Sequence, residues 1–174
     1  GDTTILEGDE VFFIADEKHI EDVTKELQKL EEKYRNIYIA GAGNIGKSLA
    51  KKINSEFNIK VIEKDAETSE LASEHLDNVL ILNADAADQE FLATEAIQDC
   101  DVFVAVTQDD ETNVLCSLMA KKLGAKKTIT IINKEAYFDL VGKNELDIII
   151  SPVQITVSHL LKYIRRGSVS NIHK

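Results

Sequence analysis

The sequence predicts an α/β chain built on a doubly wound parallel sheet of six strands, and three observations predict it. Short apolar runs alternate with helical patterns along most of the chain, the order that gives parallel strands joined by right-handed crossovers. One run, 37–40, passes straight into Gly41-Ala42-Gly43-Asn44-Ile45-Gly46 and then into a helical pattern carried by Ile45, Leu49 and Ile53. A second run ends in Glu63, about 20 residues past the first glycine, where a Rossmann-like fold needs a carboxylate.

Residues 1–16 read as two β-runs around a Glu7-Gly8-Asp9 turn. A lone hairpin is marginal in water, so this segment is expected to be the tail of a preceding domain. Residues 17–33 form a linker helix with Ile20, Val23, Leu27 and Leu30 on one face, a stripe that must cover the core or a partner. Residues 34–151 hold the Rossmann-like unit. After its first two strands comes a helix over 67–75, with Leu71 on the apolar side, and a third strand over 78–83. The next helix carries Phe91, Leu92, Ala96 and Ile97. The run 101–107 is apolar almost throughout, as in a parallel strand buried on both faces. A helix with Val114, Leu115, Leu118 and Met119 follows and closes at Gly124. A fifth strand over 127–132, a short helix over 136–141 and a sixth strand over 147–150 complete the unit, stopped by Ser151-Pro152. Residues 152–174 are expected to hold an amphipathic helix over 154–166 and the start of another subdomain.

The glycines have separate physical tasks. Gly41 permits the tight turn, Gly43 lacks the Cβ that would hold a pyrophosphate off the backbone, and Gly46 lets helix and strand approach. Helix N-terminal N–H groups and the helix dipole then face the phosphates. Glu63 stands where ribose hydroxyls are bound, and its charge opposes a 2′-phosphate, favouring NAD or an adenosine nucleotide over NADP. The switch point between first and fourth strands gathers Gly41 to Gly46, Glu63, Asp85 and Thr107 around one crevice.

Other chemistry is missing from the pattern. The chain has 174 residues, 44% of them hydrophobic, enough for a sizeable core. A formal charge of −11 opposes nucleic acid and anionic membrane surfaces. No apolar run approaches the ~20 residues that span a bilayer, and no signal peptide pattern is present. Cys100 and Cys116 lack metal-ligand spacing and read as inert thiols in a reducing compartment. His19, His75, His159 and His173 are scattered, and no Tyr-x-x-x-Lys pair or phosphate-loop lysine motif occurs. Asp109-Asp110-Glu111 reads as a first helical turn offsetting the helix dipole in preference to a metal or acid–base cluster. A nucleotide site without a catalytic half suggests a sensor; an NAD-dependent oxidoreductase fragment lacking its catalytic domain and a pure scaffold are the other readings.

Ile39 to Gly46, Val61 to Asp65, Asn83-Ala84-Asp85-Ala86, Val104 to Asn113 and Ile149 to Pro152 match, in order and spacing, the RCK/KTN family. Across the whole chain the pattern resembles the cytoplasmic regulatory subunits of bacterial Trk potassium uptake systems, centred on a second nucleotide-binding subdomain. The resemblance implies NAD, NADH, ATP or ADP as ligand, with no metal and no chemistry of its own. It implies Gly41, Gly43 and Gly46 at the phosphates, Glu63 at the ribose, Asp85 near the adenine and Thr107 lining the crevice, with Ala42, Asn44, Ile45, Lys64, Ala86 and Asn113 also among the cofactor-binding residues. Ala84 stands where the family has glycine, putting more bulk near the base. The implied partners are a membrane-embedded potassium channel or transporter subunit and a second copy, in a homodimer or higher assembly on the cytoplasmic face of the membrane.

Overall fold

The computed structural model describes residues 17–26, 34–141 and 145–151. The predicted hairpin over 1–16, the linker helix beyond 26 and the segment 152–174 lie outside the described residues. Helix α1 covers 17–26. It is followed by β1 (Asn36–Ala40), α2 (Asn44–Ile53), β2 (Asn58–Glu63), α3 (Ala66–His75) and β3 (Val79–Asn83). Then come α4 (Gln89–Thr94), a 3₁₀ turn (Ile97–Asp99), β4 (Val102–Ala105), α5 (Asp110–Leu123), β5 (Lys127–Ile131), α6 (Ala136–Leu140) and β6 (Ile148–Ile150).

The strands make one sheet in the order β3-β2-β1-β4-β5-β6, every neighbouring pair parallel. This is the predicted doubly wound Rossmann-like sheet. Order reverses between β1 and β4, whose residues Ile37 to Ala40 pair with Val102 to Ala105. Side chains alternate across the sheet. Ile37, Ile39, Val61, Val104 and Ile129 enter one core layer with Val23 of α1, Leu49 and Ile53 of α2 and Ala72 of α3. Tyr38, Ala40, Ile62, Phe103 and Ala105 enter the other with Leu92 of α4 and Cys116 and Ala120 of α5. Burying a large apolar side chain contributes about 1.5–3 kcal/mol, so the central strands, apolar on both faces, anchor the domain. Val23 is fully buried, so α1 covers the core at that point.

Aspartates set three helix starts: Asp65 accepts from the Thr68 amide, Asp88 from those of Glu90 and Phe91, and Asp109 from that of Thr112. Gly124, with φ +116°, closes α5 in the left-handed conformation that favours glycine.

Three local expectations change. The helix expected through Ile97 stops at Thr94, because Ala96 takes φ +54° and the chain restarts as a 3₁₀ turn. Leu71 is 44% exposed, and α3 instead buries Ser69 and Ala72. On α5 the inward face is Asn113, Cys116, Ser117 and Ala120, whereas Leu115 is 50% exposed. Of the larger apolar residues of that helix, Met119 and Leu123 are partly buried and pack against the core layer of α4 and α5.

Candidate functional site

A cleft of about 410 Å³ opens over the carboxyl ends of the central strands. Its floor is the β1–α2 turn. Gly41 holds φ +106°, and a Cβ there would stand 3.0 Å from the Thr107 nitrogen. At Gly46 a Cβ would lie 1.9 Å from the Gly41 carbonyl oxygen, so this glycine is required by the contact of helix with turn. Gly43 differs from both: a Cβ there meets nothing within 4 Å. It borders the cleft and is the N-cap of α2, which has no side-chain cap. The amides at the start of α2 have no intrahelical acceptor. They suit an anion that fills the open space at Gly43.

Glu63, at the tip of β2, turns towards this loop. Its Oε2 accepts from the Ala42 amide at 2.7 Å and its Oε1 from the Asp65 amide at 2.8 Å. A carboxylate has about four acceptor positions, so both oxygens keep capacity for sugar hydroxyls. Asn83 pins the neighbouring tip, donating through Nδ2 to the carbonyls of Glu63 and Lys64. At this end Lys64 Nζ stands 2.9 Å from Asp85 Oδ2, and the Ala87 amide donates to Asp85 Oδ1. Lys64 and that amide hold the Asp85 carboxyl below its ordinary value, and Asp85 raises Lys64 in return. Ala84 packs against the core layer of α4 and α5.

The far wall is the β4–α5 loop. Asn113 is fully buried behind it. Its Oδ1 accepts from the Thr107 amide (2.9 Å) and hydroxyl (2.6 Å), and its Nδ2 donates to the carbonyls of Thr107 and Ile131 (both 3.0 Å). The Thr107 hydroxyl in turn accepts from the Asp109 amide. Asp109-Asp110-Glu111 disperses to three partners. Asp109 caps α5, buried Asp110 accepts from the amides of Asn133 and Lys134, and Glu111 accepts from the Tyr137 hydroxyl. Asp110 thus does more than offset a dipole: it ties α5 to the loop after β5.

Of the residues expected at a ligand, Gly41, Gly43, Glu63, Lys64, Asp85, Ala86 and Thr107 border the cleft. Ala42, Asn44, Ile45, Gly46 and Asn113 do not form its lining. Ala42 is buried with its amide on Glu63, while Gly46 and Asn113 set the shape of the walls from behind. Sequence reasoning missed Thr68, Gln108, Asp109 and Thr112 in the lining. Their available signal was position, since all lie at or beside a first helical turn that follows a strand tip. The volume falls within the ~300–1,000 Å³ usual for ligand pockets, and the open Gly43, the uncapped α2 and the inward Glu63 fit a diphosphate and its sugar.

Among the described residues no helix is long and apolar enough to cross a membrane. The TrkA-N domain model matches residues 37–152. The chain is 47% identical over 171 residues to the Trk system potassium uptake protein TrkA of Vibrio alginolyticus, covering 98% of this chain and 37% of that protein. It therefore spans a little over a third of the length of the curated relatives it matches, 37% and 38% for two of them. The fold resembles the TrkA-N domain of inner membrane protein ybaL from Escherichia coli (TM-score 0.64, 13% identity, covering 75% of this chain and 96% of that one). It also resembles the GsuK channel, solved bound to NAD (TM-score 0.58, 18% identity, covering 70% of this chain and 22% of that one). A separate structure has GsuK bound to ADP (TM-score 0.58, 17% identity, covering 70% and 32%). The family match runs through the glycine turn, Glu63, Asp85 and Thr107, the residues that build the cleft, and this chain belongs to the TrkA-N domain family.

Proposed function

We propose that this chain is the nucleotide-sensing part of a regulatory subunit of a potassium uptake system and performs no chemistry of its own. The observation that carries the reading is the open volume at Gly43, in front of an uncapped helix start and beside an inward-facing Glu63. The likeness to TrkA proteins of potassium uptake systems supports the potassium system, and the NAD and ADP bound to GsuK support the ligand class. In this reading the diphosphate meets the amides at the start of α2, and the ribose meets Glu63. Adenine lies towards Asp85 and Ala86, with Lys64 at the rim and Thr107 opposite. Residues 34–151 form the nucleotide-binding subdomain. The partners are a membrane-embedded potassium channel or transporter subunit and further copies of this protein, on the cytoplasmic face of the membrane. Regulation requires that ligand bind one state of that assembly more tightly than another.

Calorimetric titration of the chain with NAD, NADH, ADP and ATP tests the reading, with Gly43→Val as the control. Valine at this N-cap costs about 0.5–2 kcal/mol of stability, while its side chain occupies the phosphate space. Wild-type binding that weakens at least tenfold in a folded Gly43→Val supports the proposal. Equal affinity in the two proteins, or no binding by wild type, overturns it.

A further inference from the structure

We propose that Asp109 makes the cleft selective for the redox state of a dinucleotide, favouring the oxidised over the reduced nicotinamide. The inference rests on the nucleotide-binding reading above and adds which member of the pair the site prefers.

Glu63 at the tip of β2 marks the adenosine side. A dinucleotide laid across a doubly wound sheet spans the crevice at the point where strand order reverses, here between β1 and β4. Its second half therefore lies beyond β4, over the loop that carries Asp109. Glu63 and Asp109 flank β1 on opposite sides, separated by two strand spacings, roughly 10 Å of sheet. Asp109 borders the cleft, as does Thr112. Oδ2 of Asp109 accepts from the Thr112 amide and hydroxyl, and the Glu111 amide adds a weaker contact to the same carboxylate. The bonds from Thr112 keep this carboxyl below its ordinary value, with a smaller contribution from the charge of Lys134. Lys134 itself lies 5.7 Å from the centroid of the Tyr137 ring. The oxidised pyridinium ring is cationic and the reduced ring neutral, so a fixed carboxylate on that side distinguishes them without transferring hydride. A partly screened contact between two unit charges corresponds to about three- to tenfold in affinity.

The test titrates NAD⁺, NADH and ADP-ribose into wild type, Asp109→Asn and Asp109→Ser. Asn and Ser are both good N-caps, so α5 keeps its start. Wild type is expected to bind NAD⁺ about three- to tenfold tighter than NADH, both variants bringing that ratio near one with ADP-ribose affinity little changed. A ratio that the variants leave intact, a wild-type preference for NADH, or equal shifts for all three ligands overturns the inference. ADP-ribose binding with any of those results leaves the nucleotide site standing and removes only the role of Asp109; no binding of any ligand to wild type overturns both.

Discussion

The three glycines of the β1–α2 turn look equivalent as letters and are not equivalent in space. Gly46→Ala drives a methyl to 1.9 Å from a backbone oxygen, so α2 or the turn must move. A loss of about 1–3 kcal/mol is expected by chemical denaturation, together with loss of nucleotide affinity. Gly43→Val instead costs less stability and loses affinity, so the pair separates fold from site. Asn113 extends the same logic. Asn113→Leu strands the Thr107 amide and the Ile131 carbonyl in a buried place. At about 1–3 kcal/mol per orphaned group, urea denaturation is expected to show a loss of about 2–5 kcal/mol. A loss under 1 kcal/mol would mean the loop finds other partners. The acid at Glu63 was legible from spacing, because strand, turn and helix lengths are nearly constant in this fold. The role of Asn113 was not, since its acceptor on Ile131 belongs to a strand 18 residues further on.

Among the elements, α5 carries both the far wall of the cleft and the attachment to the loop after β5. Asp110 is buried and receives two backbone amides and the Asn133 side chain, all from that loop. Asp110→Ala is expected to cost about 2–4 kcal/mol, since the freed amides lose a charged acceptor. Faster hydrogen exchange at Asn133 and Lys134, with exchange in β1 and β2 unchanged, would be its local signature. Uniformly accelerated exchange would show that the clamp is not local. This helix also marks where pattern reading ended. Its large apolar residues suggested an inward face of Val114, Leu115, Leu118 and Met119; Met119 does pack on the core, but Leu115 is exposed and the fully buried positions hold small and polar groups. Ser117 illustrates the reason: it meets the Thr130 hydroxyl at 2.8 Å, a buried pairing visible only once β5 lies beneath α5. Strands were easier, because a run apolar on both faces has only one place to go in a doubly wound sheet.

At the scale of the whole domain, titration of partly and fully buried side chains sets how stability depends on pH. Asp101, Asp147 and Asp85 are held below their ordinary values in spite of burial: by Lys126 and the amides of Arg35 and Asn36, by Lys121 and Thr128, and by Lys64 and Ala87. A depressed folded value contributes stability above the unfolded carboxyl value of about 3.9 and loses it as pH falls through the folded one. The acid limb should therefore begin near pH 4. The alkaline limb has a different origin. Burial pushes both Cys100 and Cys116 up to about 12, from an ordinary 9.0. Above pH 9 the unfolded chain releases two thiol protons that the folded chain retains, so stability is fully present below that pH and declines as pH rises towards 12. Each thiol adds a slope approaching about 1.4 kcal/mol per pH unit. Urea denaturation between pH 7.5 and 10 should thus be flat and then fall. A Cys100→Ala/Cys116→Ala double variant should start lower, having lost two packed sulfurs, and stay flatter across the same interval. If both proteins decline in parallel, groups other than the thiols set the alkaline limit, and the core layer that holds both cysteines does not govern it.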